Sequence, residues 1–229
     1  MSVASKVRLV AVIGGSGAGK SWLISRLCRA IGRDACHLQL DDFYRDRSHL
    51  PLRRRPQVNF DLPRAVDWEA FERVLRDCAA GRATVVPKYD FATYTQLKGK
   101  HRWKPRPIVF VDGLWLLRKP RIRKLFDLTL FLDIPTDVRC ARRRARDVVE
   151  RGYTPDRVEH QLRTAVVPMH NRFVESQKEV ADLVLHQPYE KAAVADLAAR
   201  LGTLRSEVTP RPARGLQARI EKALLAKNG

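Results

Sequence analysis

The chain of 229 residues is long enough for one large α/β domain or two small ones, and a hydrophobic content of 45% supplies a core and excludes a disordered polymer. No apolar run approaches the roughly 18 residues of a membrane-spanning helix, which excludes an integral helical membrane protein. With 44 Lys and Arg against 25 Asp and Glu, the net charge of +19 attracts polyanions, among which nucleoside triphosphates count as much as nucleic acids.

Met1 to Lys6 lead straight into an apolar stretch with no signal-peptide pattern, so a cytoplasmic protein is expected. Cys28, Cys36, Cys78 and Cys140 are scattered, without a C-x-x-C pair or a nearby His at zinc-ligand spacing, and read as reduced, mostly buried thiols.

The first expected strand is Leu9-Val10-Ala11-Val12-Ile13, and Gly14-Gly15-Ser16-Gly17-Ala18-Gly19-Lys20-Ser21 follows it directly. This fits G-x-x-x-x-G-K-[ST]: glycines turn backbone N–H groups toward phosphates, Lys20 reaches the β- and γ-phosphates, and Ser21 offers a hydroxyl to Mg²⁺. Trp22 to Ala30 carry apolar residues at helical spacing, completing a strand–loop–helix unit whose helix N-terminus favours anions.

A short strand is expected at Ala35 to Leu40, ending on Asp41-Asp42 at the sheet edge where α/β ligands sit. Residues 43–66, rich in Arg, Pro and Asp, read as a long loop, and loops of that length are usually functional. Asp67 caps a helix that ends near Gly81. Thr84-Val85-Val86-Pro87 and His101-Arg102-Trp103 are expected as short strands flanking a projecting hairpin.

Ile108-Val109-Phe110-Val111 running into Asp112-Gly113 has the hydrophobic-strand-then-acid pattern of a Walker B element. Leu128 to Leu132 read as another buried strand, and Thr136 to Glu150 as a helix stopped by Gly152, with an arginine-laden exposed face. A helical pattern from about Asp156 is interrupted near Pro168, and Ala181 to Leu185 suggest a last strand. Two helical patterns separated by Thr209-Pro210-Arg211-Pro212 fill the tail. Strands alternating with helices, with the P-loop on the first strand, imply a P-loop NTPase fold of the α/β class: a mostly parallel sheet with helices on both faces and a projecting β-hairpin.

A P-loop alone does not separate kinases from GTPases, helicases or transporters. The series GGSGAGKS, Leu40-Asp41-Asp42-Phe43-Tyr44, Asn59-Phe60-Asp61, Pro87-Lys88-Tyr89-Asp90-Phe91, Asp112-Gly113 and Arg142-Arg143-Arg144-Ala145-Arg146-Asp147 through Gly152 resembles the uridine kinase (uridine-cytidine kinase) family, within the phosphoribulokinase and uridine kinase group. The resemblance spans about residues 7–186. It implies a kinase domain over residues 1–189, with the hairpin insertion at about 83–105 and the lid at about 139–160, followed by a helical tail over 190–229.

The implied cofactors are ATP and Mg²⁺, and the implied reaction is transfer of a phosphoryl group to the 5′-hydroxyl of uridine or cytidine. Asp41 matches the family's catalytic acid, which takes the acceptor's proton and also approaches Mg²⁺; Asp42 is its rival, because neighbours along a strand end point in opposite directions. Asp112 and Ser21 would hold the metal. Arg143, Arg146 and Arg151 match positions in a lid that closes over phosphates, whereas Arg139, Arg142 and Arg144 have no match and read as a solvated basic face. Tyr44, Phe60 and Tyr89 match aromatic positions around the nucleoside, and Gln161 a polar contact on the helix after the lid.

Two positions depart from the pattern. Tyr94 stands where the family commonly has His and Tyr153 where it has Arg, both of which read the pyrimidine. A phenol donates to uracil's 4-carbonyl or accepts from cytosine's 4-amino group, so Tyr94 alone does not choose. Another nucleoside, a sugar acid or a pantothenate-like alcohol is the alternative acceptor on the same fold. A nucleic-acid-binding P-loop protein is the rival class: the Arg53-Arg54-Arg55 and Arg142-Arg143-Arg144 runs favour it, and the lack of an interleaved aromatic and basic stripe speaks against it. The assembly state stays open, a homo-oligomer included.

Overall fold

The computed structural model describes residues 7–99, 101–187 and 191–203. Its centre is a five-stranded, all-parallel sheet built from β1 (Arg8–Gly14), β2 (Ala35–Gln39), β7 (Ile108–Gly113), β8 (Leu128–Asp133) and β9 (Leu183–His186), in the order β2-β7-β1-β8-β9. Every residue of β1 and β7 is buried, which is why both read as continuous apolar runs rather than alternating ones.

Alternation instead assigns residues to the two layers. Val10 and Val12 pack with Leu23, Ile24 and Leu27 of α1 (Lys20–Ile31), whereas Leu9, Ala11 and Ile13 face Phe71 and Leu75 of α2 (Trp68–Ala79). Asp67 caps α2, its Oδ1 accepting the Ala70 N–H at 3.0 Å. Leu197, Ala198 and Leu201 of α7 (Lys191–Thr203) bury themselves in the same layer as α1. The second helical pattern of the tail lies outside the described residues.

The hairpin has an outer pair, β3 (Thr84–Val85) with β6 (Arg102–Trp103), and an inner pair, β4 (Tyr89–Asp90) with β5 (Thr95–Gln96), both antiparallel. The 43–66 loop is held at its ends by a bridge between Tyr44 and Val66, and holds two short 3₁₀ turns, Leu52–Gln57 and Pro63–Ala65. Past α3 (Pro120–Arg123) and β8, α4 (Thr136–Val149) leads through Gly152 to α5 (Pro155–Gln161). The interruption expected near Pro168 is a π turn over Leu162–Val166; the backbone stays helical through it, and α6 (Val167–Phe173) continues from it with Pro168, which lacks an N–H to donate, as its second residue.

One expected element differs. The strand read as Ala35 to Leu40 stops at Gln39, and Leu40–Phe43 form a 3₁₀ turn. Strand alternation therefore does not decide between Asp41 and Asp42.

All four cysteines are free; burial pushes the Cys36 thiol up to about 11 and the Cys78 thiol up to about 12. Among the described residues no helix is long and apolar enough to cross a membrane.

Candidate active site

The strand order places three loop beginnings side by side at the carboxyl edge of the sheet, since β7 lies between β1 and β2. Val12 and Gln39 are both in register with Asp112, so the P-loop, Asp112 and the turn after β2 converge. A cleft of about 1000 Å³ opens from this edge and runs from Lys20 past Asp41 to Tyr94 and Tyr153.

Within the P-loop, Gly17 has φ +80° and a Cβ there would collide with the Arg139 carbonyl oxygen; at Gly15 a Cβ would lie 2.5 Å from Arg139 Nη1. Glycine is required because α4 packs directly against the loop. Gly14 and Gly15 turn their carbonyls onto Lys20 Nζ at 2.9 and 3.0 Å, and Ala18 is buried in the core, so these members of the motif shape the loop from behind. Ser16, Gly17, Gly19, Lys20 and Ser21 line the cleft. Burial lowers the Lys20 pKa, partly offset by the charges of Asp112 and Asp41.

Ser21 Oγ donates to Asp112 Oδ2 at 3.0 Å, and His37 Nε2 lies 2.9 Å from Asp112 Oδ1. A hydroxyl and a carboxylate of this kind are hard oxygen ligands, with Asp41 beside them, and they fit Mg²⁺, which takes few protein ligands and keeps waters and phosphates for the rest. Asp41 lies half-buried in the cleft. Desolvation, and then the charge of Asp112, push its pKa up to about 6, against the opposing pull of Lys20, Arg151 and Arg146. Asp42 is turned away: its Oδ2 accepts from Lys88 Nζ at 2.6 Å and its Oδ1 from the Tyr89 N–H at 3.5 Å, which ties the hairpin to the sheet edge.

The arginines of α4 and of the turn after it converge on one acid. Asp147 is fully buried and accepts from Arg143 Nε at 3.1 Å, from Arg146 Nε and Nη2 at 2.9 and 2.8 Å, and from Arg151 at 3.5 Å. Arg143 also reaches Asp61 at 3.5 Å. The reading of Arg139 as solvated is corrected: it is 2% exposed, with Nε donating to the Ile134 carbonyl at 3.0 Å and Nη2 to Thr136 Oγ1 at 2.9 Å, because it fills the gap beneath the P-loop. Arg142 lines the cleft and pairs with Gln187, while Arg144 is exposed and pairs with Glu159. In the other arginine run, Arg55 is tied into the 43–66 loop, donating to the carbonyls of Leu50, Thr93 and Ser48.

The far half of the cleft is aromatic. Tyr44 lies with ring centroids 5.5 Å from both Phe60 and Tyr89, and its hydroxyl donates to the Phe60 carbonyl at 3.1 Å. The Tyr89 hydroxyl and Gln161 Oε1 are buried without a partner, in residues that line the cleft. Buried polar groups are normally bonded, so these two have hydrogen-bonding capacity left for a molecule in the cleft.

Sequence reasoning assigned no role to Asp61 and Asp147, although both stand inside quoted motifs, nor to His37 and Arg157, which carried no local signal.

A model of the Phosphoribulokinase / Uridine kinase family matches residues 9–193. The chain belongs to this family. It is accordingly a P-loop kinase that uses ATP. The uridine kinase of Chloroflexus aurantiacus is 38% identical over 177 residues, 77% of this chain and 85% of that one. The uridine kinase of Clostridium perfringens is 34% identical over 194 residues, covering 84% and 93%. Among solved structures, phosphoribulokinase from Rhodobacter spheroides superposes with a TM-score of 0.60 at 18% identity, over 80% of this chain and 71% of that one. D-glycerate 3-kinase from Cryptococcus neoformans does so at 0.50 and 16%, over 72% and 78%. At those identities the likeness is one of fold. The family fold therefore carries several acceptors, and the acceptor has to be argued from the cleft.

Proposed function

We propose that this family member transfers the γ-phosphoryl group of ATP to the 5′-hydroxyl of a pyrimidine nucleoside, uridine or cytidine. The observation that carries the reading is the single cleft in which a half-buried Asp41 separates the P-loop from an aromatic chamber. Phosphates, a primary hydroxyl and a planar base can occupy it in that order.

The P-loop amides and Lys20 hold the β- and γ-phosphates, and Ser21 and Asp112 hold Mg²⁺. When bound, Mg·ATP supplies the phosphoryl group and neutralises charge on its oxygens. Asp41, with a pKa of about 6, is ionised at neutral pH yet close enough to it to accept the acceptor's hydroxyl proton. Arg146 and Arg151, aligned by Asp147, offer planar cations for charge growing on the transferred group. In the chamber, Phe60 and Tyr89 give flat apolar faces to the base, and the unpartnered Tyr89 hydroxyl and Gln161 carbonyl wait for polar atoms of the acceptor.

The test is ADP release from ATP and Mg²⁺ across a panel of acceptors that includes uridine, cytidine, purine nucleosides, glycerate and pantothenate. Turnover with uridine or cytidine at least tenfold above the others is expected. Absence of response to both nucleosides, with response to another alcohol, overturns the nucleoside reading and leaves the kinase assignment intact.

A further inference from the structure

The carboxylate of Asp112 is held at both oxygens. Ser21 Oγ donates to Oδ2 at 3.0 Å, and His37 Nε2 lies 2.9 Å from Oδ1. A carboxylate oxygen only accepts, so the contact places a hydrogen on Nε2 whether the imidazole carries one proton or two. Ser21 has likewise committed its one hydrogen to Asp112, which leaves the lone pairs of its oxygen for a cation.

The sheet makes this meeting possible across 75 residues of sequence. β2 ends the sheet beside β7, and His37 stands in register with Phe110, two residues before Asp112, so that His37, Phe110 and Asp112 share one face. That face packs against α1, because Phe110 belongs to the same apolar layer as Leu23, Ile24 and Leu27. An apolar residue at position 37 would suit such a face; what the imidazole adds is a donor aimed at Oδ1. Asp112 is only 7% exposed, so little water reaches Oδ1 to take that donor's place. A carboxylate can turn about its last bond, but one held by a donor on each oxygen cannot turn without breaking a hydrogen bond. With Oδ1 occupied by the ring, Oδ2 is the oxygen kept beside the Ser21 hydroxyl. Carboxylates that hold metals depend on outer hydrogen bonds of this kind for their orientation.

We propose that His37 is a positioning residue for Mg²⁺: it fixes the Asp112 carboxylate through Oδ1, so that Oδ2 and the Ser21 hydroxyl stand as a ready pair of oxygen ligands. The inference rests on the assignment of Mg²⁺ to Ser21 and Asp112 and extends it to a residue of β2. His37 does not touch the metal and acts through Asp112.

The experiment titrates Mg²⁺ by calorimetry into the full chain with protein in excess over ADP, so that all the nucleotide is bound, and repeats this in His37→Phe, His37→Leu and His37→Gln. Phe and Leu keep an apolar side chain on the sheet face and lose the donor, whereas Gln keeps an N–H at a similar reach. Mg²⁺ affinity should fall about 10–100-fold in His37→Phe and His37→Leu and stay within about threefold of the parent in His37→Gln. ADP affinity measured in EDTA should match the parent in all three, because the P-loop amides and Lys20 hold the phosphates without metal. Raising Mg²⁺ should return the kcat of His37→Phe to the parent value. Unchanged Mg²⁺ affinity in the Phe and Leu variants overturns the inference and leaves Ser21 and Asp112 standing as the metal's holders. So does a loss in His37→Gln as large as that in His37→Phe, or a parallel loss of metal-free ADP affinity, since either assigns His37 to packing alone. Absence of Mg²⁺ uptake by the parent's ADP complex overturns both the inference and the metal assignment beneath it.

Discussion

Replacing Asp41 with Asn should cost activity and raise stability, because the same desolvation acts on both. The folded-state pKa of about 6 stands above the ordinary 3.8, a shift of about 2 units, and each unit is worth about 1.4 kcal/mol. At neutral pH the ionised carboxylate therefore costs the apo-protein up to about 3 kcal/mol, a ceiling because the half-buried side chain still meets solvent. The sign follows from the raised pKa. Between about pH 4 and pH 6 the folded protein retains a proton that the unfolded chain has lost, so wild-type stability falls as pH rises through this window and levels off above it. Asn does not titrate.

The variant should thus melt about 3–10 °C higher than the parent at pH 7.5, and the advantage should vanish near pH 4. Its kcat in an ADP-release assay should fall by about 10²–10⁴, with ATP affinity by calorimetry unchanged, since only activation of the acceptor is lost. Melting temperatures that coincide at both pH values refute the electrostatic argument. Undiminished turnover refutes the role of Asp41, and loss of turnover in Asp42→Asn alone would assign the base to Asp42 instead. Asp42→Asn is expected to loosen the hairpin, as it weakens the pair with Lys88.

The surroundings of the lid and loop give further tests. Arg139→Ala should destabilise the fold by about 2–4 kcal/mol in thermal or urea unfolding because it empties a packed site under the P-loop, whereas exposed Arg144→Ala should leave the unfolding midpoint unchanged. Asp147→Ala leaves the buried Arg143 with Asp61 alone, at 3.5 Å, and should cost about 3–5 kcal/mol in the same measurement. Gly17→Ala should abolish ATP binding in calorimetry, through the collision with the Arg139 carbonyl; Gly32→Ala has the same φ of +80° but nothing within 4 Å, so it should lose about 1–3 kcal/mol of stability through backbone strain alone and keep ATP affinity.

The phosphate end of the cleft was legible in sequence because its chemistry is local. Gly14 to Ser21 and the strand running into Asp112 are contiguous signals, and a parallel sheet brings them together almost without choice. Asp41 needed the fold: a 3₁₀ turn replaced the expected strand end, and only the pairing of Asp42 with Lys88 shows which carboxyl is left for the cleft. The acceptor end was the least legible, for Tyr94, Tyr153 and Arg157 meet across 59 and 63 residues of chain.

The error at Arg139 has a more general cause. Helices are read by asking which face is apolar, and α4 has almost no apolar face: its buried residues are Arg139, Cys140, Arg143 and Asp147. Yet Arg139, Arg143 and Asp147 recur at i, i+4 and i+8, and Arg151 continues the interval beyond the helix, so the inward stripe has full helical periodicity. What distinguishes its second half from a solvated stripe is an acid among the bases, since burial of Arg143 requires a carboxylate to compensate it, and Asp147 four residues on supplies one. An Asp at i+4 from an arginine on such a stripe is therefore a signal of a buried, charge-compensated pair. Arg139 had no such signal, because the Ile134 carbonyl and Thr136 Oγ1 hold it under the P-loop rather than an acid of its own helix.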